Sequence, residues 1–115
     1  MSVDRDENAE IIQPIVNEPA GDVAARQKQG AAAYFLRGQG IFNRGLSQPN
    51  VDANSRVFVS ATELNPADNK PFLGGGRITV HNVVPHDDGS VTIRVEVDAP
   101  QELPIRASLF YFNGF

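Results

Sequence analysis

Apolar and polar residues alternate most cleanly over 91–98, where Val91, Ile93, Val95 and Val97 interleave with Thr92, Arg94, Glu96 and Asp98. A period of two places one set on each face of an extended chain, so this stretch reads as a strand with one buried and one wet face. The same reading covers 56–62, with Val57, Val59 and Ala61 on one face and Phe58 and Ser60 on the other. It covers 77–84 as well, where Ile78 and Val80 alternate with Thr79 and His81. Between the last two strands lies Pro85-His86-Asp87-Asp88-Gly89-Ser90, whose Asp-Gly pair predicts a hairpin. The final strand, 105–112, sets Ile105, Ala107, Leu109 and Tyr111 against a face of Arg106, Ser108, Phe110 and Phe112.

That second face is itself partly apolar, and two explanations stand. Either the strand is central and covered on both sides, with Phe110 and Phe112 packed under the 31–42 segment, or the face is a subunit contact. Aromatic residues are enriched at the cores of such contacts. Phe110, Phe112 and the terminal Phe115 are therefore the interface candidates.

The first half of the chain is patterned differently. Asp22 can cap a helix over 22–29, which Gly30 interrupts. The apolar run 31–36 then reads as a buried strand. From 38 to 54 glycine, asparagine, serine and Pro49 predict turns, with a short strand at Ile41 and Phe42. Ahead of all this, 1–20 groups Ile11, Ile12, Ile15 and Val16 around Pro14, with Pro19 following. Proline and its effect on the preceding residue favour extended chain over helix there. The expected architecture is mainly β: a small antiparallel β-sandwich over 31–115, preceded over 1–30 by an extended N-terminal arm and one short helix.

Charge sharpens that division. Residues 1–20 hold Asp4, Asp6, Glu7, Glu10 and Glu18 against Arg5, which accounts for the whole formal charge of −4 of the 115-residue chain. The rest is balanced. Extended, twenty residues reach about 65 Å, so Ile11, Ile12, Ile15 and Val16 are candidates to anchor the arm on a partner. A body of some 80 residues buries a modest share of its surface and commonly gains stability from cross-links, metals or association. Cysteine is absent and there are two histidines, so disulfides and a usual structural zinc site are excluded. Of those supplements association is what remains, beside the alternative that a well-packed sandwich of this size folds alone.

Candidate chemistry is thin. His86, Asp87 and Asp88 are consecutive turn residues whose side chains diverge. Gly38-Gln39-Gly40 and Gly74-Gly75-Gly76 lack the strand, helix and lysine of a phosphate loop. Ser60, Ser90 and Ser108 have no histidine at a readable spacing. No enzyme and no cofactor or metal site is expected. An acidic isoelectric point without a basic cluster argues against nucleic acid. No apolar run is long enough to span a bilayer, and the acidic start is unlike a signal peptide.

One stretch carries a likeness. Val51-Asp52-Ala53-Asn54-Ser55-Arg56-Val57-Phe58-Val59-Ser60 resembles a V-x-A-N-S-x-V-x-[LV]-[ST] run in C-terminal domains of bacteriophage tail-fibre and tailspike-type proteins. Gly89-Ser90-Val91-Thr92-Ile93 and Leu109-Phe110-Tyr111-Phe112 follow in the family's order, so the likeness covers about 50–113. The strand pattern is also similar to the H-type lectin fold. The resemblance implies a homotrimeric β-sandwich and a compact virion protein, a head-decoration or short-fibre subunit. Its arm would be anchored to capsid, portal or tail. It departs from the fibres in having a short acidic arm where they have a long shaft. The lectin's aromatic-rich sugar site has no clear counterpart. The alternative function is a glycan-binding module for host-surface recognition, with Asn65, Asp68, Asn69 and Phe72 as the loop candidates.

Overall fold

The structure, a computed structural model, describes residues 6–8, 10–16 and 28–114, the first two segments by their backbone alone. Nine strands follow in chain order: β1 Asp6–Asn8, β2 Glu10–Val16, β3 Gln29–Gly38, β4 Gly40–Ser47, β5 Arg56–Asn65, β6 Lys70–Pro71, β7 Arg77–Pro85, β8 Ser90–Asp98 and β9 Leu103–Phe112. They form a four-stranded sheet ordered β1-β4-β8-β7 and a five-stranded sheet ordered β2-β3-β9-β5-β6. Every pairing is antiparallel except the parallel β1–β4. No helix occurs among the described residues.

The core lies between the sheets and is built from the alternations of their central strands. Val91, Ile93, Val95 and Val97 of β8 face Ile105, Ala107, Leu109 and Tyr111 of β9, all essentially inaccessible to water. Each valine, isoleucine or leucine among them contributes about 1.5–3 kcal/mol on burial. β3 adds Ala32, Tyr34 and Leu36, β4 adds Phe42 and Leu46, and Val51 enters from the loop after β4. Tyr34 ties the two sheets together across this core, its hydroxyl donating to the Ser47 carbonyl at 2.6 Å. A buried phenol needs such a partner.

The strands expected at 56–62, 77–84, 91–98 and 105–112 are all present, each one to three residues longer than the pattern alone predicts. The hairpin is present too: β7 ends at Pro85, β8 begins at Ser90, and Gly89 takes φ +81° at the turn. One alternation shifts. A bulge between Val80 and Asn82 adds a residue, so Val83 packs toward the core and Val84 faces out.

Two expectations need correction. The turn-rich reading of 38–54 is wrong for its first half, because Gly40–Ser47 is an eight-residue strand with Phe42, Arg44 and Leu46 pointing inward. Its glycines serve a corner. β3 passes to the other sheet through Gln39 alone; Gly40 adopts φ +74°, and a Cβ on Gly38 would clash with the edge of the Phe42 ring. The 31–42 segment does not cover Phe110 and Phe112; it supplies β3, which is the strand beside β9 in the same sheet. The helix over 22–29 lies outside the described residues except at its end, where Lys28 is in a bend and Gln29 opens β3.

The N-terminal region also sits differently from a free arm. β1 pairs with β4 (Asp6↔Asn43 to Asn8↔Gly45) and β2 with β3 (Glu10↔Phe35 to Val16↔Gly30). One short segment therefore closes the same-side edges of both sheets. Pro14 is accommodated because β2 is an edge strand, where a missing N–H need not face a neighbour. β3 begins at Gln29, two residues ahead of the expected 31–115 body, and residues 1–5, 9 and 17–27 of the expected 1–30 arm lie outside the described residues.

Two outcomes test this packing. Gly38→Ala should cost about 2 kcal/mol by overpacking against Phe42, lowering Tm by roughly 10 °C; differential scanning calorimetry reads it. Burial pushes the Tyr34 phenol from 10.0 up to about 12, against a lowering hydrogen bond from Gln48. The fold holds the neutral phenol, so this contribution is whole below pH 10 and is lost as pH rises from 10 toward 12. Denaturant titrations at pH 9 and 11.5 should show that loss in the parent and a smaller one in Tyr34→Phe.

Candidate functional site

The outward face of the five-stranded sheet carries two exposed large apolar side chains, Phe58 and Phe110. Register sets Phe58 of β5 opposite Phe110 of β9, Phe110 opposite Ala31 of β3, and Ala31 opposite the backbone position of Ile15 in β2. Phe58 is 63% exposed and Phe110 42%, and their rings lie 6.5 Å apart at 31°, a tilted contact. Such pairs contribute about 0.5–1.5 kcal/mol beyond area burial. Phe112, half-buried, occupies the next rank between Arg56 and Gln29. Arg106 stands further along β9 between Thr62 and Phe35, its Nε buried without a hydrogen-bond partner. Of the interface candidates, Phe110 and Phe112 therefore share one face with Phe58. The pattern had set Phe58 away from the core without marking it as a contact. Phe115 lies outside the described residues.

Two phenylalanines so exposed in opposed positions are not needed by the core. Large aromatic side chains dominate interface energetics when they are desolvated by a partner. On β3, β5 and β9 the charged positions of this face belong to Arg37, Arg56 and Arg106, and Arg37 is met by Glu102 at 3.1 Å. That exposed pair contributes little.

The glycan candidates sit at the β5–β6 turn, and most of their polar groups hold that turn. The Asn65 carbonyl accepts from the amides of Asp68 and Asn69, and its side-chain oxygen accepts from the Ala67 amide at 2.9 Å. The Asp68 carboxylate accepts from the Lys70 amide at 3.1 Å, and Asn69 takes φ 59°. Phe72 is half-exposed and the adjacent Leu73 is 99% exposed, so the loop ends in an apolar tip. A shallow groove of about 240 Å³ lies elsewhere, on the outer face of the four-stranded sheet, lined by Asn43, Asn82, Val84, Thr92 and Arg94. It is smaller than the usual range for small-molecule sites.

The histidines are engaged on separate partners. His81 Nε2 lies 2.9 Å from Glu96 Oε1, and His86 Nε2 lies 2.8 Å from Thr92 Oγ1. Among the described residues no group of three His, Cys, Asp or Glu side chains is placed to hold a metal. Asp88 is held below the usual carboxylate range by its hydrogen bond from Ser90, whose hydroxyl is 2.6 Å away.

The 51–55 run has a structural task. Val51 is in the core; the Asp52 amide donates to Ser55 Oγ, and the Asn54 amide to Asp52 Oδ1. The Ala53 amide reaches Asp87 in the hairpin turn at 2.9 Å. Ser55 Oγ donates to the Asn113 side chain, whose Nδ2 donates to the Asn50 carbonyl at 2.7 Å. The loop, the hairpin turn and the end of β9 are thereby knotted together at one end of the two sheets. No family model, curated protein or solved structure matches the chain. The likeness to phage fibre domains accordingly stands on the residues of 50–113 alone.

Asn113→Ala should remove two side-chain hydrogen bonds and cost about 2 kcal/mol. Chemical denaturation should show that loss, with no change in the mass measured by light scattering, since Asn113 is outside the aromatic face.

Proposed function

We propose that this protein is a non-enzymatic structural subunit, a β-sandwich that self-associates through the outer face of its five-stranded sheet. The observation that carries this is the Phe58–Phe110 pair, two large aromatic side chains left solvent-exposed side by side on the outward face of that sheet. Supporting it, residues 28–114 have balanced charge, so like subunits do not repel through their bodies. In keeping with the phage-fibre resemblance, the subunit works in a virion, as a head-decoration or short-fibre protein, and the assembly is a homotrimer. Its apolar arm residues Ile11, Ile12, Ile15 and Val16 attach it by strand pairing, since 10–16 is extended and edge-placed.

Each aromatic side chain buried at such a contact contributes about 1.5–3 kcal/mol per subunit. The double variant Phe58→Ser, Phe110→Ser should therefore shift the parent's oligomer to monomer in multi-angle light scattering, with Tm changed little. A parent that is monomeric at high micromolar concentration would sink the reading. For the virion setting, the neighbouring genes decide: capsid or tail genes support it, and metabolic genes count against it.

A further inference from the structure

We infer that β1 and β2 are exchanged between copies of this chain, each copy's acidic N-terminal strands completing the sheets of a neighbour. This rests on the self-association proposed above and names the element that carries it.

The strands fill a receptor site that is defined without them. β3 offers the edge positions Gly30–Phe35 and β4 the positions Asn43–Gly45, on the same side of the two sheets. Left open, both would be rows of unpaired backbone groups ready to accept another strand. β4 also places Arg44 there, 5% exposed, with Nη2 donating to the Arg37 carbonyl at 2.6 Å and the guanidinium 4.3 Å over the Phe42 ring. β1 runs beside it, Asp6 opposite Asn43 and Glu7 opposite Arg44. A buried cation at the edge suits an acidic strand, and the chain's whole net charge of −4 lies in its first twenty residues. The site recognises sequence and charge, and a second copy supplies both identically.

The connection is long enough to permit pairing either at home or on a neighbour. Val16 is paired with Gly30, and a hairpin closing that pair needs about two to five residues. The chain places 13 between them, residues 17–29. Extended, these reach about 40 Å. Adjacent strands are about 4.8 Å apart and stacked sheets about 10 Å. That reach exceeds several such spacings, so the connection can carry β2 to the β3 edge of a neighbour packed on the Phe58–Phe110 face. The rank Phe58–Phe110–Ala31 ends at the position of Ile15, so the receptor edge is continuous with the proposed contact.

The chain has no cysteine, so a cross-strand disulfide reports which copy donates the strand. The test uses the full-length double variant Ile15→Cys, Ala31→Cys, at directly opposed positions, with Glu10→Cys, Phe35→Cys as a second pair in case the first folds poorly. After oxidation of the native protein, denaturing gels without reductant should show covalently linked multimers, and neither single variant should give them. Single variants Ile15→Cys and Ala31→Cys refolded together should give linked heterodimers. Monomers closed by an internal disulfide would overturn the exchange, as would thiols that stay free in the folded protein. Light scattering on the same samples separates the two readings: internally closed chains in an intact oligomer refute exchange alone, whereas internally closed monomers refute self-association as well.

Discussion

Everything in this molecule depends on the facing of β8 and β9. Each is interior to its sheet, and each contributes an unbroken alternate row of apolar side chains to the space between. Because the side-chain period of a strand is two, a slip of one residue in either would turn a whole row to solvent. The two rows therefore fix the register of β4 and β7 on one side and of β3 and β5 on the other. The register shifts at Val80/Asn82 and Ile11/Gln13 are tolerated where they fall, in edge strands β7 and β2, away from that central pair.

Around this core the connections divide the work between the two ends. At one end the chain turns from β3 to β4 in a single residue, possible because Gly38 gives way to Phe42 and Gly40 takes a left-handed conformation. At the other, the 48–55 loop crosses between sheets while its polar groups bind the hairpin turn and Asn113. Buried backbone in a crossing loop must find partners, and Asp52, Ser55, Asp87 and Asn113 provide them. The same residues that carry the likeness to phage fibre domains thus have a sufficient local reason to be what they are. The aromatic pair Phe58 and Phe110 is a surface property left without a role in the core.

How much of this was legible in the sequence differs along the chain. Strands with one wet face announce themselves, and 56–62, 77–84, 91–98 and 105–112 were all readable, as was the Asp-Gly hairpin. Gly40–Ser47 was not, because Gly40, Gly45, Asn43 and Arg44 mask its alternation; Arg44 points inward, a direction no hydropathy pattern assigns to arginine. The pairing of β1 and β2 was equally hidden, since an acidic, proline-containing segment looks like a solvated arm when its counterpart edge is unknown. Phe110 and Phe112 were legible as a surplus of apolar surface, and Phe58 as a residue facing away from the core. That Phe58 and Phe110 stand opposite each other is a matter of register between strands about fifty residues apart.

The sequence by itself determined the class of this protein: local alternation makes strands, absent cysteine leaves packing to hold them, and lopsided charge sets the first twenty residues apart. Only the tertiary structure decided which strands are neighbours, because pairing is chosen by how rows of side chains fill a shared interior. That choice brought Phe58 to Phe110, sent β3 beside β9 where a covering segment had been expected, and laid the charged N-terminal strands along two open edges. Those edges are created by other strands. No property of residues 1–20 taken alone could have revealed them.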